Sequence, residues 1–129
     1  MALTSKEALA LARKLRSASA AVGDLLDDNW DRLSPAERKD LEKQERQIFD
    51  AATKVRTDAV GLALEEASTS AEILQGLIGD AKACLEKLED VRNAIKIATA
   101  LAEIAVAVAS KDLGSIAKHG KVIYDSVTG

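Results

Sequence analysis

A chain of 129 residues is long enough for one domain with a buried core. Its 47% hydrophobic and 30% charged content excludes a disordered polymer, and a single Pro among many Ala, Leu, Glu, Lys and Arg residues favours helix over sheet. The net charge of −3, with both signs interleaved along the chain, offers no basic face; this excludes nucleic acid as an expected partner and argues against strong attraction to anionic lipid.

The first helix is predicted over about residues 4–32. Ala8, Leu11, Leu15, Ala18, Val22 and Leu25 alternate at spacings of three and four, and Leu26, Trp30 and Leu33 widen that stripe. Ser34-Pro35-Ala36-Glu37 then reads as a helix start, with Ser34 the N-cap, Pro35 the first helical residue and Glu37 closing a capping box. The second helix is predicted over 35–67, carried by Leu41, Ile48, Val55 and Leu62. A second break is expected at Ser68-Thr69-Ser70, where Thr69 and Glu72 make another box.

The longest pattern follows. Leu74, Leu77, Ala81, Cys84, Leu88, Val91, Ile95, Ala98, Ala102, Ala105 and Ala109 keep register throughout, which predicts one helix over 70–109 of ~60 Å. Gly76 and Gly79 weaken it by roughly 1 kcal/mol each, and a break at Gly79-Asp80 is the alternative. A short polar link leads to a last helix over 113–127.

Short links imply antiparallel neighbours. The predicted fold is therefore all-α: an elongated antiparallel bundle, single-domain, of three long helices and a short C-terminal fourth. The short helix covers only one end, leaving a three-helix end and a four-helix end. The run Ala94–Ala109 is almost wholly apolar, and the wider arc suits the four-helix end. Lys96, Thr99, Glu103 and Ser110 fall on one narrow line, so Glu103 is expected to face solvent.

No constellation of catalytic residues is visible. One His and one Cys exclude the Glu-x-x-His di-iron pattern, Cys-x-x-Cys and His-Glu-x-x-His, and no phosphate-cradling glycine loop occurs. The expectation is therefore no catalytic residue, no metal ligand and no cofactor. His119 reads as a surface histidine and Cys84 as an inert thiol on the core register. A lone cysteine suits a reducing compartment, and the N-terminus lacks a secretory apolar core; a cytoplasmic protein is expected, with export without a cleaved signal left open. Acids Asp24, Asp27, Asp28 and Asp31 sit at the unfavourable end of the first helix. Either Arg38 and Lys39 compensate them, or Asp27 and Asp28 flank Trp30 as a docking patch.

Two functions fit. The first is a non-enzymatic interaction module, of adaptor, chaperone, inhibitor or immunity type. It would hold another protein, or a second copy of itself, in an apolar groove of Leu64, Ile73, Leu77 and Ile78 at the three-helix end. The second is a membrane-active protein of pore-forming or effector type, inserting 94–109 with the last helix after a trigger. Ile95, Ile97, Leu101, Ile104, Val106 and Val108 would then meet lipid. At about 16 residues that run is short of the ~20 needed to span.

Overall fold

The computed structural model describes residues 2–87 and 90–128, and over these the chain forms five α-helices and no strand. They are α1 (Ser5–Asp28), α2 (Pro35–Asp58), α3 (Ala71–Glu86), α4 (Val91–Ala109) and α5 (Leu113–Thr128). Two 3-10 turns, Trp30–Arg32 and Leu64–Ala67, follow α1 and α2.

Local chemistry sets most boundaries. Ser34 Oγ accepts the Glu37 N–H at 3.1 Å while Glu37 Oε1 accepts the Ser34 N–H at 2.8 Å, the reciprocal box expected there. A second box, between Thr4 and Glu7, opens α1. At the start of α3 the cap is Ser70, not Thr69: Ser70 Oγ accepts the Ile73 N–H at 3.2 Å. The second helix stops at Asp58 rather than at 67. Beyond it Gly61 takes a φ of 89°, a conformation costly for side-chain-bearing residues, and the chain turns back. There Gly61 N–H donates to Leu3 O at 2.8 Å, and Leu3 N–H donates to Leu62 O at 2.9 Å. The N-terminal segment is thus tied to the exit of α2.

The largest departure from expectation concerns the 70–109 rod. It is two helices, and the break is not at Gly79-Asp80, which lies within α3. α3 ends at Glu86, and Asp90 caps α4 by accepting the Arg92 N–H at 3.0 Å. The expected core position Leu88 lies outside the described residues. Length explains the break. α1 and α2 have 24 residues each, ~36 Å. A ~60 Å rod would overhang them and leave apolar side chains unpartnered. Folding back lets α3 pack along α1 while α4 packs along α2.

α3 starts at the α1 N-terminal end, beside Leu3 and Leu64, and runs parallel to α1. α4 returns antiparallel to it: Gln44 near the start of α2 bonds Thr99, and Lys111 beyond α4 donates to Val60 O beyond α2, at 3.0 Å. α5 reverses again and packs against both α4 and α3, with its first turns on the Leu64–Ala67 turn. The bundle therefore has no separate three-helix end of the kind expected.

α4 is the core element. Ten of its 19 residues are buried, among them Ile97, Leu101, Ile104 and Val108. The apolar run is accounted for by packing against α2 on one side and α5 on the other. Small residues permit the approach: a Cβ at Gly120 would lie 3.8 Å from Ile104 Cδ1, so α5 sits at ordinary van der Waals distance. Between α1 and α2, the buried Ser19 hydroxyl donates to Glu45 O at 3.1 Å.

Candidate docking groove

α3 and α5 are parallel neighbours that do not close on each other along their outer edges. Between them lies a groove of about 360 Å³. Ile73, Leu74 and Leu77 form the α3 wall, Ile116, Ala117, Gly120 and Tyr124 the α5 wall, and Glu66 to Thr69 one end. Leu74 and Ile116 are 1% exposed and form the floor. Leu77 is half-buried, while Ile73 and Tyr124 stand 54% and 56% exposed at the rim.

Helical geometry produces this arrangement. On α3 the buried line Leu74, Ile78, Ala81 and Leu85 faces α1 and the core. Ile73 and Leu77, four residues apart, stand on the flank of that line and face α5 instead. On α5 the buried Ile116 and Ile123 point inward, and Ala117, Gly120 and Tyr124 occupy the flank toward α3. Ala117 and Gly120 have too little side chain to fill the cleft, so it stays open. At its end Thr69 Oγ1 is buried without a hydrogen-bond partner among the described residues.

The residues expected to make a groove are placed unequally. Ile73 and Leu77 line it. Leu64, at 3% exposed, and Ile78, at 1%, are core residues and present no surface. The other wall comes from α5, which sequence reasoning assigned to the opposite end of the bundle. The missing signal was the break before Val91, because a continuous helix keeps Tyr124 far from Leu77.

The acidic patch is a separate feature. Trp30, expected on the core stripe, is 44% exposed. α1 stops at Asp28, and the tighter 3-10 turn rotates the indole outward. The Arg38 guanidinium lies 4.5 Å from the Trp30 ring centroid and its Nε donates to Trp30 O at 2.8 Å. Arg38 thus holds the 3-10 turn that follows α1, and among the described residues no ion pair joins Arg38 or Lys39 to Asp24, Asp27, Asp28 or Asp31. Asp27 and Asp28 are exposed beside it.

The titratable groups of the second cleft, about 280 Å³ between α4 and α5, are engaged within the fold. His119 Nδ1 lies 2.6 Å from Glu103 Oε2, joining α5 to α4. The imidazole is only 16% exposed, so His119 is not the open surface residue expected, whereas Glu103 at 47% does face solvent. Asp112 accepts the Ser115 N–H at 3.2 Å and its hydroxyl at 2.9 Å; these bonds hold its carboxyl below the usual range. Cys84 is half-buried against the core. Among the described residues no group of three or more His, Cys, Asp or Glu is placed to hold a metal ion.

The six residues assigned to lipid contact are likewise split. Ile97, Leu101, Ile104 and Val108 are 1% exposed or less, Ile95 is half-buried, and Val106 is 45% exposed. Among the described residues no helix is long and apolar enough to cross a membrane.

No protein-family model matches the chain, and no curated protein or solved structure matches it either.

Proposed function

We propose that the protein is a non-enzymatic binding module whose α3–α5 groove receives a helix from another polypeptide. One observation carries this reading: Ile73 and Tyr124 stand exposed on opposite walls, above a half-buried Leu77, where small residues leave the cleft open. A helix laid in such a cleft inserts anchors spaced i, i+3 or i+4, and i+7. Each aliphatic or aromatic side chain taken fully out of water contributes roughly 1.5–3 kcal/mol. Two exposed rim residues and the partner's own anchors therefore suffice for a specific, modest affinity. An adaptor, chaperone, inhibitor or immunity-type role suits a surface of this kind.

Insertion of residues 94–109 into lipid is the weaker reading. Its aliphatic residues are the centre of the core, so the bundle would have to open before any of Ile97, Leu101 or Ile104 met lipid.

The test places a photo-crosslinking residue at Ile73 or at Tyr124, with the exposed Arg13 on α1 as the control site. In extracts of the cell that makes the protein, adducts form at the two groove sites and not at Arg13. Leu77→Asp removes them while circular dichroism stays helical. Adducts equal at all three sites, or none at the groove, overturn the reading.

A further inference from the structure

We propose that a second docking surface, on the outer side of α4, takes an extended, arginine-bearing segment of another polypeptide, whose arginines enter the two furrows that flank the exposed Val106. This surface shares no residue with the α3–α5 groove. The outer line of α4 is Glu103, Val106 and Ser110, spaced by three and four and all exposed. A furrow of about 380 Å³ lies between this line and α2, and one of about 280 Å³ between it and α5. Gln47, Val106 and Ser110 line both furrows, so the two form one surface with α4 as its ridge. Small residues leave them open: Ala51 and Ala109 in the first, Ala102 and Ala107 in the second. On the ridge between them Val106 is 45% exposed.

Charge names the occupant. Asp50 and Asp58 stand in the α2 furrow, Glu103 and Asp112 in the α5 furrow. Against these four carboxylates the furrows hold one lysine, Lys54, and the His119 imidazole, which is already engaged with Glu103 Oε2. Lys111, next to Asp112 in the chain, donates its Nζ to Val60 O at 3.0 Å. With His119 neutral, this one surface carries an acidic excess as large as that of the whole chain, whose net charge is −3. The two signs are interleaved along the sequence, and the fold gathers the surplus acid on either side of α4. Among the described residues neither Asp50 nor Asp58 is ion-paired, and both are exposed. The complement is a cation with an apolar stem: arginine methylenes pack on the alanines while the planar head meets a carboxylate.

Spacing names its conformation. The furrows lie on the two sides of one helix, whose diameter with side chains is ~10–12 Å. In an extended chain, residues two apart point the same way at a rise of ~3.3 Å per residue. An apolar residue seated on Val106 therefore places its neighbours at two residues before and after it ~13 Å apart, one over each furrow. A helix laid on this surface would rest in one furrow and leave the carboxylates of the other unpaired.

The test titrates the full chain with a fluorescein-labelled peptide that has a central leucine and an arginine two residues to either side. Binding is followed to millimolar peptide by anisotropy and by amide and methyl resonances. Saturable one-to-one binding is expected, with the largest shifts at Val106 and Ser110, and it weakens as salt is raised. Asp50→Asn, Glu103→Gln and Val106→Ser each weaken it about fivefold, and Lys54→Ala tightens it about threefold. Asp50, Lys54 and Val106 are exposed, so their variants stay folded and decide the matter even where Glu103→Gln loosens the His119 contact. Three results overturn the proposal: no saturable binding, equal binding of a peptide of the same composition with its arginines adjacent, or shifts confined to Ile73 and Leu77.

Discussion

α3 and α4 carry one unbroken apolar register, yet they live in different surroundings. α4 is packed by α2 and α5 on two sides and buries side chains over most of its circumference. α3 leans on α1 and meets α5 along one flank only, so Ile73 stays exposed and Leu77 half-buried. Periodicity reports which face of a helix is apolar, and the width of the arc reports how many neighbours cover it. A helix whose arc widens midway is a sign of two helices with different neighbours.

The contrast can be broken or sharpened by substitution. The largest effect is expected in α4. Leu101 is 0% exposed, so Leu101→Ala should cost about 2–5 kcal/mol in urea unfolding. Ile78, at 1% exposed, belongs to the core and not to the groove surface. Burying an unpaired carboxylate there should unfold the chain, read as lost helical dichroism, whereas Leu77→Asp should leave it folded.

The break between the two helices comes next. Asp90→Ala removes the carboxylate that accepts the Arg92 N–H and should cost about 1 kcal/mol. In α3, Gly76 is exposed with nothing within 4 Å of a built Cβ, so Gly76→Ala should stabilise by up to about 1 kcal/mol. Ile73→Ala, at the exposed rim, should change stability by less than about 0.5 kcal/mol while weakening partner capture. Equal costs for Leu101→Ala and Ile73→Ala would abolish the distinction between core helix and groove wall.

A small pH effect belongs to the α1–α2 seam. Burial pushes the Glu45 carboxyl above its ordinary range, and Asp27, Glu42 and Asp24 push it the same way, against Arg46. The folded chain therefore binds this proton more tightly than the unfolded chain. Glu45 opposes folding at neutral pH, and that opposition fades as pH falls through its folded value toward 4.5. Glu45→Gln should raise the thermal midpoint slightly at pH 7 and leave it unchanged at pH 4, as calorimetry would read.

Helix identity was legible in the chain because Ala-, Leu- and Glu-rich stretches carry clean spacings. The Ser34-Pro35-Glu37 start was legible because its chemistry is local. The break before Val91 was not. No Gly or Pro marks it, and Asp90 looks like any exposed acid in a helix. What decides it is the length of α1 and α2, a tertiary constraint. Half of the groove was legible for the same reason: Ile73 and Leu77 stand off the main stripe of their own helix, which spacing shows. That α5 supplies the facing wall depends on the fold-back, which spacing does not show.

The Tyr124 ring tests the fold-back most directly, because the chain has one tyrosine and its proton resonances are unambiguous. Nuclear Overhauser contacts from protons of α5, that ring and the Ala117 methyl among them, to side chains of α3 are the result this structure predicts. If the ring and methyl instead contacted only α4, with no transfer to α3, the chain would carry a straight helix over 70–109 and the groove would not exist.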